Sequence, residues 1–371
     1  MSAQAQSKTP VRAQSAKTHG AASGAHAASP ALAATRSSLG EDLSWSEQMG
    51  ECWNRFWFTA TDPVNLGWIR LLTGVVALYL QLTLAFDLGR FFGPEGYLPI
   101  RTSVDWYAWF IDTGGEPMLK YSYLSYLQTP GQLAAAHWAG IAVLLLFTAG
   151  VMTRVTSVLS LIVMLSYFHR APMITAQVEP VIAMLMFYLC LGPAGASVSV
   201  DAWLRDRKRR ADLKIKPDEP LAVTPRWSAT VVLRLIQIHL CAFYLMAFLA
   251  KVSGGGLGNV WLRGEAMWSV ITEPDMPLVD FTWLAPYTAL IDVWTFSILL
   301  FELSFPLLVW NRLLRPVMLA ISVPMWITLA LATGLTTYAA AMLIGGLAFV
   351  DPAWIRSCAN CCRAKFSKAE A

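Results

Sequence analysis

Eight stretches of the chain are apolar over the length needed to cross a bilayer, about 20 residues. They are 66–86, 133–151, 154–169, 173–192, 230–251, 287–309, 315–332 and 333–350. Each predicts a helix. The third and fourth are parted only by His169-Arg170-Ala171-Pro172, where a charge marks an interface and proline ends a helix, so a tight turn is expected. Thr333 and Gly334 alone separate the last two, and 315–350 also fits one kinked span with a re-entrant piece.

Polar segments between the spans are unequal. Two long connections, 87–132 and 252–286, are rich in aromatic residues, among them Trp106, Trp109, Trp261 and Trp268. Disordered segments avoid such residues, so both connections are expected to fold over the mouth of the bundle. The opposite connections are rich in Lys and Arg: Arg205, Arg207, Lys208, Arg209, Arg210 and Lys214 follow the fourth span, Arg312 and Arg315 the sixth. Basic residues accumulate in cytoplasmic loops. The pattern predicts an all-α integral membrane protein of the plasma (inner) membrane, a bundle of about eight transmembrane helices with two ordered outer loops and both termini cytoplasmic. Residues 1–50 are polar, with almost no aromatics, and are expected to be a disordered cytoplasmic tail rather than a signal peptide; 51–352 form the transmembrane domain and 353–371 a second cytoplasmic tail.

Composition strengthens the membrane assignment. Of 371 residues 56% are hydrophobic and only 14% charged. A soluble domain is about 25% charged, and a chain this poor in charge needs lipid to cover its surface. The bilayer is thus its first partner. No phosphate-binding loop or nucleic-acid motif occurs, so a nucleic-acid partner is not expected. Cys358, Cys361 and Cys362 cluster near the C-terminus, but without a second pair or a nearby His they do not predict a metal site.

Ionisable groups inside spans are costly and mark candidate sites. In the fifth span Gln237, Cys241, Tyr244, Phe248 and Lys251 recur at helical spacing and share one polar face. Lys251, at its outer end, either serves as a base in an apolar pocket or extends to the interface. A base role requires little negative charge nearby. His169 and Arg170 close the third span and Glu179 opens the fourth, near Lys251 in depth, so a lysine–carboxylate pair is one expectation there and a solvated turn the other. His239 faces elsewhere and is expected to make an interhelical hydrogen bond. Glu302 lies too deep to reach water, and a structural pair with Arg70 or Arg234 is expected; Arg70 is read as structural.

Several stretches, in order, resemble the horizontally transferred transmembrane domain family, which includes vitamin K-dependent gamma-glutamyl carboxylase. They include Asp62-Pro63 before Arg70, Phe92-Gly93-Pro94-Glu95-Gly96, Arg154 to Ile174, Leu191-Gly192-Pro193-Ala194-Gly195-Ala196, Tyr244 to Lys251, Trp261-Leu262-Arg263-Gly264-Glu265-Ala266, and Phe301-Glu302-Leu303 with Phe305-Pro306. The resemblance implies that Lys251 is the base that deprotonates a reduced quinone. Ala250 stands where the family often carries a second lysine. Taken with the residues, it implies a carboxylase-like protein that binds an isoprenoid quinone or related lipid through Tyr244, Gln237, His169, Arg170, Glu179 and Trp261. The alternative is a non-catalytic membrane factor for peptide or toxin maturation, immunity or transport, with a peptide as partner.

Overall fold

The computed structural model describes residues 44–93, 96–114, 122–171, 174–214, 223–254, 257–273 and 277–358. The chain divides into two compact units, Met1–Trp53 and Asn54–Ala371. Of the first, only residues 44–53 are described, chiefly the beginning of α1 (Trp45–Phe58). The expected tail over 1–50 thus lies almost wholly outside the described residues, as do Pro172, Cys361 and Cys362.

The second unit is helical. Its elements are α2 (Val64–Phe92), α3 (Ile100–Asp112), α4 (Pro130–Ala149), α5 (Thr153–Arg170), α6 (Val178–Leu191), α7 (Val200–Leu213), α8 (Trp227–Val252), α9 (Leu257–Leu262), α10 (Ala266–Thr272), α11 (Thr288–Leu308), α12 (Arg315–Thr333) and α13 (Thr336–Gly346). The described residues contain no strand, only an isolated antiparallel bridge between Thr61 and Arg226.

All eight apolar stretches are helices, and local chemistry sets their ends. Thr129 and Gln132 cap α4 reciprocally, and Pro130 occupies its first turn. Gly150 closes it in the left-handed conformation. Gly334, also left-handed, ends α12 and separates it from α13. The fourth helix begins at Val178 rather than at 173, which leaves Pro180 in the first turn, where its missing N–H costs nothing.

Among the described residues, five helices are long and apolar enough to cross a membrane: α2, α4, α8, α11 and α12. The other three fall short for separate reasons. The 18 residues of α5 include Thr153, Arg154, Thr156, Ser157, Ser160 and Ser166, which dilute its apolar character. The 14 residues of α6 rise about 21 Å against a hydrocarbon core of about 30 Å. The last helical stretch, Thr336–Phe349, turns by 113° into Pro352–Cys358.

One apolar core runs through the bundle, from Leu66 and Ile69 of α2 to Ile236 and Leu240 of α8 and Met342 of α13. Close approach of α2 to α4 depends on Gly74, where a Cβ would collide with Thr148. A smaller cluster, centred on Met267, Ile271, Leu284 and Ile291, joins α10 to α11.

The two long connections contain helices α3, α9 and α10. Their tryptophans do not all pack inward, contrary to expectation. Trp109 is 60% exposed and Trp268 37%. On α3, Trp106 stacks on its own helical neighbour Phe110, with ring centres 5.5 Å apart. The i, i+4 spacing on α3 lets Trp106 pack on its own helix.

Candidate functional site

Lys251 stands in the last turn of α8. Side chains on a helix lean toward its N-terminus, so this lysine is directed back along the bundle rather than away from it. Its ammonium forms an ion pair with Glu302 Oε1 on α11. It also sits 4.7 Å from the centre of the Trp261 ring, a cation–π contact with α9. The lysine side chain keeps 22% of its exposure and the glutamate 10%.

The pair is only half compensated. Glu302 Oε1 receives the ammonium, but Oε2 is buried without a hydrogen-bond partner. Burying an unpaired carboxylate oxygen is expensive, and a ligand that donates to it removes that cost.

Both residues line a cavity of about 380 Å³ between α8, α11, α12 and α13. Most of its wall is apolar, including Ala247, Ile298 and Leu329. Polar atoms enter at a few points. Tyr244 brings a hydroxyl that accepts a hydrogen bond from Trp326 Nε1 at 2.8 Å. Tyr338 lies edge-on to Trp326, ring centres 5.2 Å apart, and also lines the space. Concave, mostly apolar space with a few convergent polar groups is the usual form of a small-molecule site.

The fifth-span face is therefore split. Tyr244, Lys251 and Trp261 meet at the cavity, but Gln237 does not. Its Nε2 donates to Ala348 O at 2.7 Å and its Oε1 accepts from Arg234 at 2.9 Å, so it joins α8 to the 3-10 turn Leu347–Phe349 that follows α13. About four turns of helix separate Gln237 from Lys251, too long a stretch to face one cavity of this size.

The expected partner of Glu302 was Arg70 or Arg234, and neither is used. Arg70 is fully buried and donates instead to the carbonyls of Phe147 and Val198. Arg234 lies over the ring of Phe56, 4.5 Å from its centre, and donates to Phe56 O. Carbonyl oxygens at helix ends lack intrahelical partners, so buried guanidinium groups serve them well. Lys251 thus meets a carboxylate, but it is Glu302 and not Glu179, and the cavity does not have the low negative charge that a lone lysine base requires.

His169, Arg170 and Glu179 lie apart from this cavity. Arg170, 1% exposed, donates to Leu98 O at 2.7 Å and ties α5 to the α2–α3 connection. Glu179 borders a separate space of about 110 Å³ with Phe92 and Tyr167. His169 is half-buried at the end of α5. His239 bonds Tyr188 through Nδ1 at 3.0 Å, the expected interhelical contact.

Sequence patterning missed Trp326 and Tyr338 as cavity residues. Both lie in apolar runs without charge, and only the helix break at Gly334 brings α13 back beside α12 so that the two rings meet.

No protein-family model, curated protein or solved structure matches the chain.

Proposed function

We propose that the chain is a membrane protein that binds an isoprenoid quinol, or a related lipid with a hydroxylated head, in the Lys251–Glu302 cavity. In this reading all eight apolar helices belong to the membrane bundle, the basic connections face the cytoplasm, and the cavity faces the opposite side of the plasma membrane. The observation that carries it is the ion pair set in an apolar wall with one carboxylate oxygen unserved. A ligand hydroxyl donates to Glu302 Oε2, and the Lys251 ammonium is placed to stabilise the oxyanion left when that proton departs. The proton passes to the Lys251–Glu302 pair, which holds it as one unit. Deprotonation of a reduced quinone is also the step that the family resemblance assigns to Lys251.

The chemistry separates the two redox forms. A quinol offers O–H donors, whereas a quinone offers only acceptors. Wild-type protein is expected to bind a short-chain quinol more tightly than the matching quinone. In Glu302→Gln the amide both donates and accepts, and the preference should narrow or reverse. Equal binding of both forms by wild type and variant argues against the reading. A comparison of Lys251→Ala with Lys251→Arg then tests the chemistry. Alanine removes the cation that stabilises the oxyanion, so proton uptake from bound quinol should fail in Lys251→Ala, whereas arginine keeps a cation and should retain part of it. Quinol binding without proton uptake in wild type leaves a binding or maturation factor without catalysis.

A further inference from the structure

A second cavity lies at the other end of the bundle, where α5, α6, α7 and α8 meet. It measures about 760 Å³. Its charged wall carries Arg154, Arg205 and Arg226, and its apolar wall carries Val155 and Leu191. An adjoining space of about 190 Å³ shares Arg205 and Arg226.

The charges are not balanced within the site. Asp201 also borders it, but both its oxygens are engaged: Oδ1 accepts from Met152 N–H at 2.9 Å, and Oδ2 from Thr153 N–H and hydroxyl at 2.9 and 3.0 Å. Arg205 is held by the carbonyls of Gly195 and Ala196. Arg154 and Arg226 form no side-chain hydrogen bond or ion pair among the described residues. Two guanidinium groups without a partner among the described residues thus face the same space as an engaged carboxylate.

Helix α7 gives the setting. Ala202, its one buried residue, faces the bundle, while Val200, Trp203 and Leu204 form an exposed apolar stripe on the opposite side. Arg207 lies over the Trp203 ring, 5.6 Å from its centre. A basic helix with tryptophan and leucine on one face suits the membrane–water boundary. Val155 and Leu191, 50% and 56% exposed, lead from the arginines onto α5 and α6.

We propose that this junction binds an anionic phospholipid, its phosphate held by Arg154 and Arg226 and its acyl chains laid against Val155 and Leu191. Guanidinium groups recognise phosphate with paired donors, and an acyl chain needs the adjacent apolar wall. The site is separate from the Lys251–Glu302 cavity and stands without it.

Native mass spectrometry of the full chain in detergent tests this, titrating phosphatidylglycerol and phosphatidylcholine of the same chain length. The wild type should retain phosphatidylglycerol preferentially. Arg154→Gln combined with Arg226→Gln should weaken that binding roughly tenfold or more, leaving phosphatidylcholine unchanged. Arg312→Gln, an exposed basic residue outside the cavity, should have no effect. Should the double variant fail to fold, Leu191→Glu at its exposed position should produce the same selective loss. Unchanged phosphatidylglycerol binding in the folded variants overturns the proposal. So does glycerol phosphate binding as tightly as the lipid, which makes the site one for free anions.

Discussion

Trp326 on α12 donates to the hydroxyl of Tyr244 on α8 across 2.8 Å, and both side chains are almost fully buried. The bond fixes one wall of the Lys251 cavity, because Phe301 and Phe305 of α11 pack on the same tyrosine. Tyr244→Phe keeps the ring and removes the acceptor, which orphans a buried indole N–H. The expected cost is about 1–3 kcal/mol of stability. Unfolding of wild type and variant in the same detergent measures it, and an unchanged midpoint contradicts the role given to this bond.

Gly150 is held by two constraints at once. Its φ is +76°, and a Cβ there would collide with the Arg70 guanidinium and with Ser199. Gly114 shares the left-handed conformation, with φ +89°, but has open space around it. Gly114→Ala should therefore cost only the backbone term, about 1–2 kcal/mol. Gly150→Ala should cost clearly more, because it also dislodges a buried arginine from its carbonyls. Equal losses in the two variants, compared by thermal unfolding, would sink the steric argument.

Asp201 supplies a pH-dependent fastening. Burial pushes its carboxyl up, but the N–H groups of Thr153 and Met152, the Thr153 hydroxyl and nearby Arg205 outweigh that effect and hold it below the ordinary value of 3.8. A carboxylate with a depressed folded pKa adds stability at pH above its ordinary value, and loses it as pH falls through the folded value. Stability should be level near neutrality and decline below about pH 4. Asp201→Asn should be weaker at neutral pH and show a flatter acid decline. An identical acid profile for both proteins contradicts the assignment.

The asymmetry of basic residues carries the proposed orientation. A cysteine at position 214, on the arginine-rich side, should resist an impermeant thiol reagent in intact cells, and one at 283 should react. Labelling at 214 from outside reverses the topology.

The helices were legible because an apolar run of spanning length has few alternatives, and all eight runs are helical. The site was legible only in part. Lys251, Tyr244 and Trp261 stand together at the cavity. Gln237 satisfies a helix end instead, and Glu302 pairs with Lys251 rather than with either arginine. The reason is physical: periodicity gives the face of a residue on its own helix, but neither the tilt of that helix nor the depth of its neighbour. A glutamate one helix away is therefore indistinguishable, in sequence, from one beside the lysine. Trp326 and Tyr338 left no polar signal at all and needed the break at Gly334 to converge.

The most direct test of the quinol-binding account is the lipid that leaves the membrane with the protein. Purification in mild detergent, followed by extraction and mass spectrometry, should recover a hydroxylated isoprenoid in near-stoichiometric amount from wild type. Ala247→Trp, which fills the cavity without touching Lys251 or Glu302 chemically, should lose that lipid while keeping its expression and unfolding midpoint. The same isoprenoid recovered at the same level from a folded Ala247→Trp protein, or none from wild type, would contradict the central claim.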